Sequence, residues 1–191
     1  SDLANDLGNL LSRITNLINK FFEGKLSSGF DKSSRGRIVQ AESSKVISFT
    51  NECFRKMKIN EAIDNSMNCI KSINKYIESM APWKLVKTDM TAASSVLLTS
   101  AEALRISCLS LIAVMPNKMN QALNILGDSS YNCDWGFFEN GLTVKKHEPL
   151  FPRIDVSIKK NHNISHKKNH SDNIISYKKF TNIELKIAQI K

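Results

Sequence analysis

Asn74–Lys87 reads N-K-Y-I-E-S-M-A-P-W-K-L-V-K, and the proline inside it frames the rest of the chain. Upstream, Ala62, Ile63, Met67, Ile70, Ile73, Tyr76, Ile77 and Met80 recur at three- and four-residue steps, the spacing of one apolar helix face. A helix opening near Asn60, a good capping residue, is therefore predicted, and it must stop before Pro82, because the residue before a proline is pushed out of the helical region. Downstream, Val96, Leu97, Leu98, Leu104, Ile106, Leu109 and Ile112 predict another helix over about 89–114. The Pro82-Trp83 pair thus marks a corner between two helices, where a rigid indole can protrude.

The same periodicity recurs on both sides. Leu3, Leu7, Leu10, Leu11, Ile14, Leu17, Ile18 and Phe21 predict an amphipathic helix over about 3–22, capped by Asp2 and ended by Gly24. Leu26–Ser34 is rich in Ser, Gly and Asp and reads as a loop. Ile38, Val39, Val46, Phe49, Cys53, Phe54 and Met57 predict a helix over about 36–57. A fifth starts at Pro116, suited to a first helical turn, and ends at Gly127. Five helices with short connections make the expected fold all-α, an antiparallel bundle.

After Gly127 the texture changes. Trp135, Phe137 and Phe138 cluster, Asn140-Gly141 signals a turn, Leu142–Lys146 alternates as a short strand would, and Glu148–Arg153 should be extended. Residues 157–173 are polar and of low complexity, without the apolar surface to fold alone. From Ile174 apolar residues return in strand-like alternation. The domain plan is a helical domain over 1–155, a linker over 156–173 and the start of a second domain over 174–191.

The 191 residues are 41% hydrophobic, and with seven Gly and four Pro they favour helices over a many-turned β architecture. No apolar run approaches the ~18 residues of a membrane span, and no signal peptide is expected at the start. The net charge of +9 is uneven: residues 159–191 hold eight Lys against Asp172 and Glu184, a balance compatible with a polyanion partner. Cys53, Cys69, Cys108 and Cys133 match no zinc spacing and read as buried free thiols of a reducing compartment. His162, His166 and His170 sit four apart, but in linker-like sequence, so no metal site is expected. No phosphate-binding glycine loop and no nucleophile elbow is present.

Three residues stand out. Asn9 and Arg13, four apart, point the same way beside the apolar stripe of the first helix, and Trp83 sits at the proline corner. An indole to stack on, with an amide and a guanidinium for edge hydrogen bonds, could hold one unstacked RNA base. The same residues also fit a plain structural reading, in which Trp83 packs under a helix end, Arg13 pairs with a carboxylate and Asn9 caps a neighbouring turn.

Asp2–Arg13 (D-L-A-N-D-L-G-N-L-L-S-R) resembles the opening helix of the anticodon-binding domain of methionyl-tRNA synthetases. Asn74–Lys87 is similar to that family's N-x-Y-(I/V)-x-x-x-x-P-W-x-L-x-K signature. Leu104-Arg105, Met115-Pro116 and Leu126-Gly127 follow its L-R, M-P, L-G order, and Glu148–Ile154 resembles its closing segment. Ala113-Val114-Met115-Pro116 departs from the family's usual P-F-M-P. Ile175–Lys191 is similar to the opening of the tRNA-binding OB domain appended to many bacterial members.

The resemblance implies that this chain reads the C-A-U anticodon of methionine tRNA within an enzyme that joins methionine to that tRNA using ATP. It implies that Asn9, Arg13 and Trp83 bind the wobble cytosine in a pocket shaped by Pro82. Lys20, Lys84 and Lys87 are placed by charge as possible phosphate contacts. The family's H-I-G-H-like and K-M-S-K-S-like motifs are absent from this sequence. The chain is therefore expected to be inactive alone, with ATP and methionine binding a catalytic domain it lacks and no cofactor of its own. A monomeric chain, a full-length homodimer formed through the complete OB domain and a cytoplasmic location are also expected. The alternatives are the anticodon domain of another class I synthetase, a helical interaction module without an RNA role and, least favoured, a stand-alone enzyme.

Overall fold

Helix ends in this protein fall where local capping chemistry places them. The computed structural model describes residues 3–27 and 29–152. The linker, the three spaced histidines and the strand-like segment from Ile174 all lie outside the described residues. A π-helical turn, Leu3–Gly8, runs into α1 (Asn9–Phe22), so the first predicted helix is continuous but wider at its start. Left-handed Glu23 and Gly24 then stop it, and the Gly24 amide donates back to the Ile18 carbonyl. Strand β1 (Lys25–Leu26) follows, where the sequence had suggested loop.

Helix α2 (Ser34–Arg55) begins two residues before its expected start, because the Ser33 hydroxyl accepts from the Gly36 amide. Helix α3 (Ile59–Met80) is not capped by Asn60. Its N-cap is Lys58, whose ammonium pairs with Glu61 at 2.9 Å. A short helix, α4 (Pro82–Leu85), occupies the proline corner. Helix α5 (Met90–Leu111) is capped by the Asp89 carboxylate, which accepts from the Ala92 amide at 2.9 Å. Helix α6 (Pro116–Ile125) starts on its proline, as expected. Strand β2 (Leu142–Thr143) is the paired part of the alternating stretch and lies antiparallel to β1.

Small polar residues set the helix register. Ser43 faces Cys69 at 3.6 Å and Thr50 faces Ser66 at 3.4 Å, so α2 and α3 run antiparallel. The Ser107 hydroxyl lies 3.3 Å from the Cys69 sulfur, and that of Ser110 donates to Ser66 at 2.8 Å, so α5 returns antiparallel to α3. Short side chains at these crossings let the backbones approach closely. Burial raises the pKa of Cys69 and pushes that of Cys108 up to about 12, so both stay protonated and inert. Cys133 departs from the expected pattern: it is exposed, on the loop after α6.

Helix α5 is buried around its whole circumference from Val96 to Leu111. Among the described residues it is the one helix long and apolar enough to cross a membrane by length and composition, although the sequence suggested no such segment. Nine-tenths of its most apolar window is buried, and it carries Glu102 and Arg105, both fully enclosed. Its hydropathy is that of a central core helix.

Among the described residues Arg105 is the largest fully buried side chain. Its Nη2 donates to Glu102 Oε1 at 2.8 Å and its Nη1 to Asp128 Oδ2 at 3.0 Å. Its Nε donates to Glu102 Oε2 at 3.3 Å, and the last two protons go to the carbonyls of Asp134, at 2.7 Å, and Asn132. Glu102 in turn accepts the amides of Gly136, Phe137 and Phe138 at 2.9, 3.1 and 3.2 Å. The Phe137 ring lies 5.0 Å from the guanidinium carbon, in cation–π range. The aromatic cluster read from the sequence is thus a loop fastened to α5 by enclosed charge.

Replacing Arg105 by Ala would leave two buried carboxylates without their cation. A loss of about 3–5 kcal/mol is expected, read as a lowered midpoint in urea unfolding, with the 128–139 loop becoming protease-sensitive.

Candidate nucleic-acid interface

The corner between α3 and α4 turns on one residue. Ala81 adopts φ 45° and ψ 59°, ending α3 and admitting Pro82 as the first residue of α4. Pro82 is buried, and Trp83 is partly buried against the core. The indole is therefore held by packing and does not project freely. Lys84 and Lys87 beyond it are exposed.

On α1, Asn9 is exposed and Arg13 is half-buried. Arg13 reaches across to the last turn of α3, where its Nη1 lies 3.5 Å from Glu78 Oε1. The carboxylate pairing allowed for in the sequence thus exists, but it is long and its partners are 39% and 62% exposed, so it is a weak tie. Its consequence is positional: the polar pair of α1 is brought to the α3 end that Pro82 and Trp83 continue. Lys20 is not brought there. It sits in the last turn of α1, roughly 10 Å beyond Arg13 at the helical rise, with its ammonium 5.2 Å over the Phe21 ring.

The other flank of the same corner carries residues that the sequence did not single out. Arg35 donates to the Ser79 carbonyl at 3.5 Å, and exposed Lys75 lies near it on α3. Lys32 and Arg37 stand at the start of α2, joined by the Arg37 Nε bond to the Lys32 carbonyl at 3.1 Å. The run Lys32, Arg35, Arg37 was a visible signal. Its meaning came only from the antiparallel α2–α3 pairing, which sets the beginning of one helix beside the end of the other.

Asp31 ties this flank down. It accepts from the Tyr76 hydroxyl at 2.7 Å and from the Ser33 hydroxyl and amide at 2.6 and 2.9 Å, while its own amide donates to Thr99 Oγ1 at 2.8 Å. Burial works to raise the Asp31 pKa, but the bonds from Ser33 and Tyr76 outweigh it and hold the carboxyl below its ordinary range. Burial and the Asp31 charge push Tyr76 far above a normal phenol, so it remains the donor.

The chain is 35% identical over 159 residues to a methionine–tRNA ligase of Deinococcus radiodurans, an alignment covering 80% of this chain and 23% of that protein. It is 31% identical over 201 residues to the Thermotoga maritima methionine–tRNA ligase, with all of this chain and 31% of that protein covered. This chain is a homologue of methionine–tRNA ligases. It spans about a quarter to a third of the length of these relatives. No family model matches it. In fold it resembles the methionyl-tRNA synthetase of Mycobacterium tuberculosis in its free state, with a TM-score of 0.72 at 22% identity over 81% of this chain and 33% of that one. The same enzyme with methionyl-adenylate gives 0.72 at 23% identity, covering 80% and 32%.

Two substitutions probe the corner. Ala81→Gly relieves a left-handed alanine, so the thermal midpoint should rise, by an amount equivalent to about 1 kcal/mol. For Asp31, a folded-state pKa below the unfolded value means that its stabilisation is present above about pH 4 and is lost as pH falls through the lowered folded pKa. Denaturation curves of the parent and Asp31→Asn should therefore differ most near neutrality and converge under acid.

Proposed function

We propose that the helical unit reads the C-A-U anticodon loop of methionine tRNA, as part of a methionine–tRNA ligase whose ATP- and methionine-binding chemistry lies outside this chain. The observation that carries the reading is the Arg13–Glu78 contact. It sets the Asn9/Arg13 face of α1 at the α3 end from which Pro82 and Trp83 continue, the two groups that the sequence paired as a base-reading kit.

In this reading the wobble cytosine stacks on Trp83, worth about 1–3 kcal/mol, over a floor shaped by Pro82. Asn9 and Arg13 satisfy its edge, and a wrong base leaves them unpaired. The weak Glu78 tie is what a ligand carboxamide or carbonyl edge would displace at small cost. Lys84 and Lys87, with Arg35 and Lys75 on the opposite flank, supply the positive field for the phosphates. Lys20, at the far end of α1, fits only a peripheral phosphate contact.

The proposal extends to the organisation of the chain. Residues 156–173 act as a linker and 174–191 as the opening of a tRNA-binding OB domain. The chain is catalytically inactive, monomeric and cytoplasmic, and dimerisation of the full-length enzyme is left to the complete OB domain.

Titration of a C-A-U anticodon stem-loop into the chain tests the reading. Trp83→Ala should weaken binding by roughly 5- to 150-fold, the equivalent of one lost stack. Equal affinity for parent and variant, or equal affinity of the parent for an unrelated anticodon, would falsify it.

A further inference from the structure

A cleft of about 850 Å³ opens beside the corner, between the loop that precedes α2 and the aromatic loop fastened to Arg105. Its size is within the range of sites that enclose a small organic ligand. Phe30 from one wall and Trp135 from the other meet with ring centroids 5.3 Å apart at 50°, so the indole is braced while remaining partly exposed. Lys32 and Arg37 line one side, and Glu139 lies on the other. At Gly136, φ is 113° and a Cβ would meet nothing within 4 Å, so the wall beside Trp135 is bare backbone facing open space.

Both walls are anchored from beneath. Glu102 holds the amide of Gly136, next to Trp135, and Tyr76 and Thr99 hold Asp31, next to Phe30. An aromatic face fixed this way loses little freedom when a ligand stacks on it. Asp31 lines the cleft, but its carboxylate is engaged by Ser33 and Tyr76. Among the described residues Arg37 bonds through its Nε, to the Lys32 carbonyl, which leaves its terminal nitrogens for a ligand in the cleft it lines. The cleft therefore offers a stacking surface, two cations and one carboxylate acceptor.

We propose that this cleft is a second nucleotide site, which takes another unpaired nucleotide of the same single-stranded RNA loop as the one at Trp83. The base stacks on Trp135, its exocyclic amine donates to Glu139, and its phosphate lies against Lys32 and Arg37. The assignment rests on the anticodon-loop reading above and adds a ligand position on the opposite flank of the α3 end.

The test uses the whole chain and the same C-A-U stem-loop. Lys32→Ala and Arg37→Ala, both exposed side chains whose variants should retain the parent's thermal midpoint, are expected to weaken binding about 3- to 10-fold. Each should also reduce the slope of log affinity against log salt by about one. Trp135→Leu should weaken binding while Trp135→Phe preserves most of it. In a Trp83→Phe background, the remaining Trp135 fluorescence should change on saturation with RNA. If Trp83→Ala weakens binding but the cleft variants bind as the parent does, the second site is overturned and the anticodon reading stands. If the cleft variants weaken binding and Trp83→Ala does not, the cleft stands and the Trp83 assignment falls. A parent chain that binds no stem-loop overturns both.

Discussion

The guanidinium of Arg105 is the constraint on which this structure depends. Sealing a cation in the middle of the core helix is costly unless every proton finds an acceptor. The acceptors come from a neighbouring turn of the same helix, from the turn after α6 and from the carbonyls of the following loop. Each acceptor is itself engaged. Asp128 takes the Ser130 amide at 2.7 Å, and Glu102 takes three amides in succession. One buried charge therefore fixes the course of a segment with no regular secondary structure, and with it the position of Trp135.

This arrangement divides the molecule into two regimes. The contacts among α2, α3 and α5 are made by apolar burial with small hydroxyl and thiol groups at the crossings. The residues proposed to meet RNA sit at one end of this assembly, where the end of α3 meets the beginning of α2 and the flank of α1. The two arginine pairings there, Arg13–Glu78 and Arg35–Ser79, are long and exposed, so they hold these side chains in place without binding them tightly. A surface that must exchange internal contacts for those of a ligand is best built from such weak ties.

Much of the scaffold was legible because it depends on near neighbours in sequence. Apolar spacing located the five long helices, and Pro82 and Pro116 located their boundaries, within a few residues. The helix expected from about residue 89 opens at Met90, on an Asp89 cap that the sequence did not single out. Asn60 has the better capping side chain, yet the helix begins at Ile59, with Lys58 at its cap and the Lys58–Glu61 pair beside it. Grouping Lys20 with Lys84 and Lys87 came from charge alone, which carries no position. What could not be read is what depends on distant partners. Nothing near Arg105 announces Asp128, and nothing near Phe30 announces Trp135. The short β1 strand in the expected loop exists only because residues 142–143 return to pair with it.

The last described residues pack against the first helix. The Phe151 ring lies 3.1 Å from where a Cβ on Gly8 would stand, His147 Nε2 is 2.8 Å from the Thr15 hydroxyl, and Leu150 is buried. This contact has a consequence in time. As the polypeptide is made from its amino end, α1 is synthesised before α2 to α6, and the residues that cover it follow only after those helices. The apolar face around Gly8 must wait, wet and unprotected, through that interval. The closing segment therefore acts as a latch fastened after α2 to α6, and of these helices the first made is the latest to be finished.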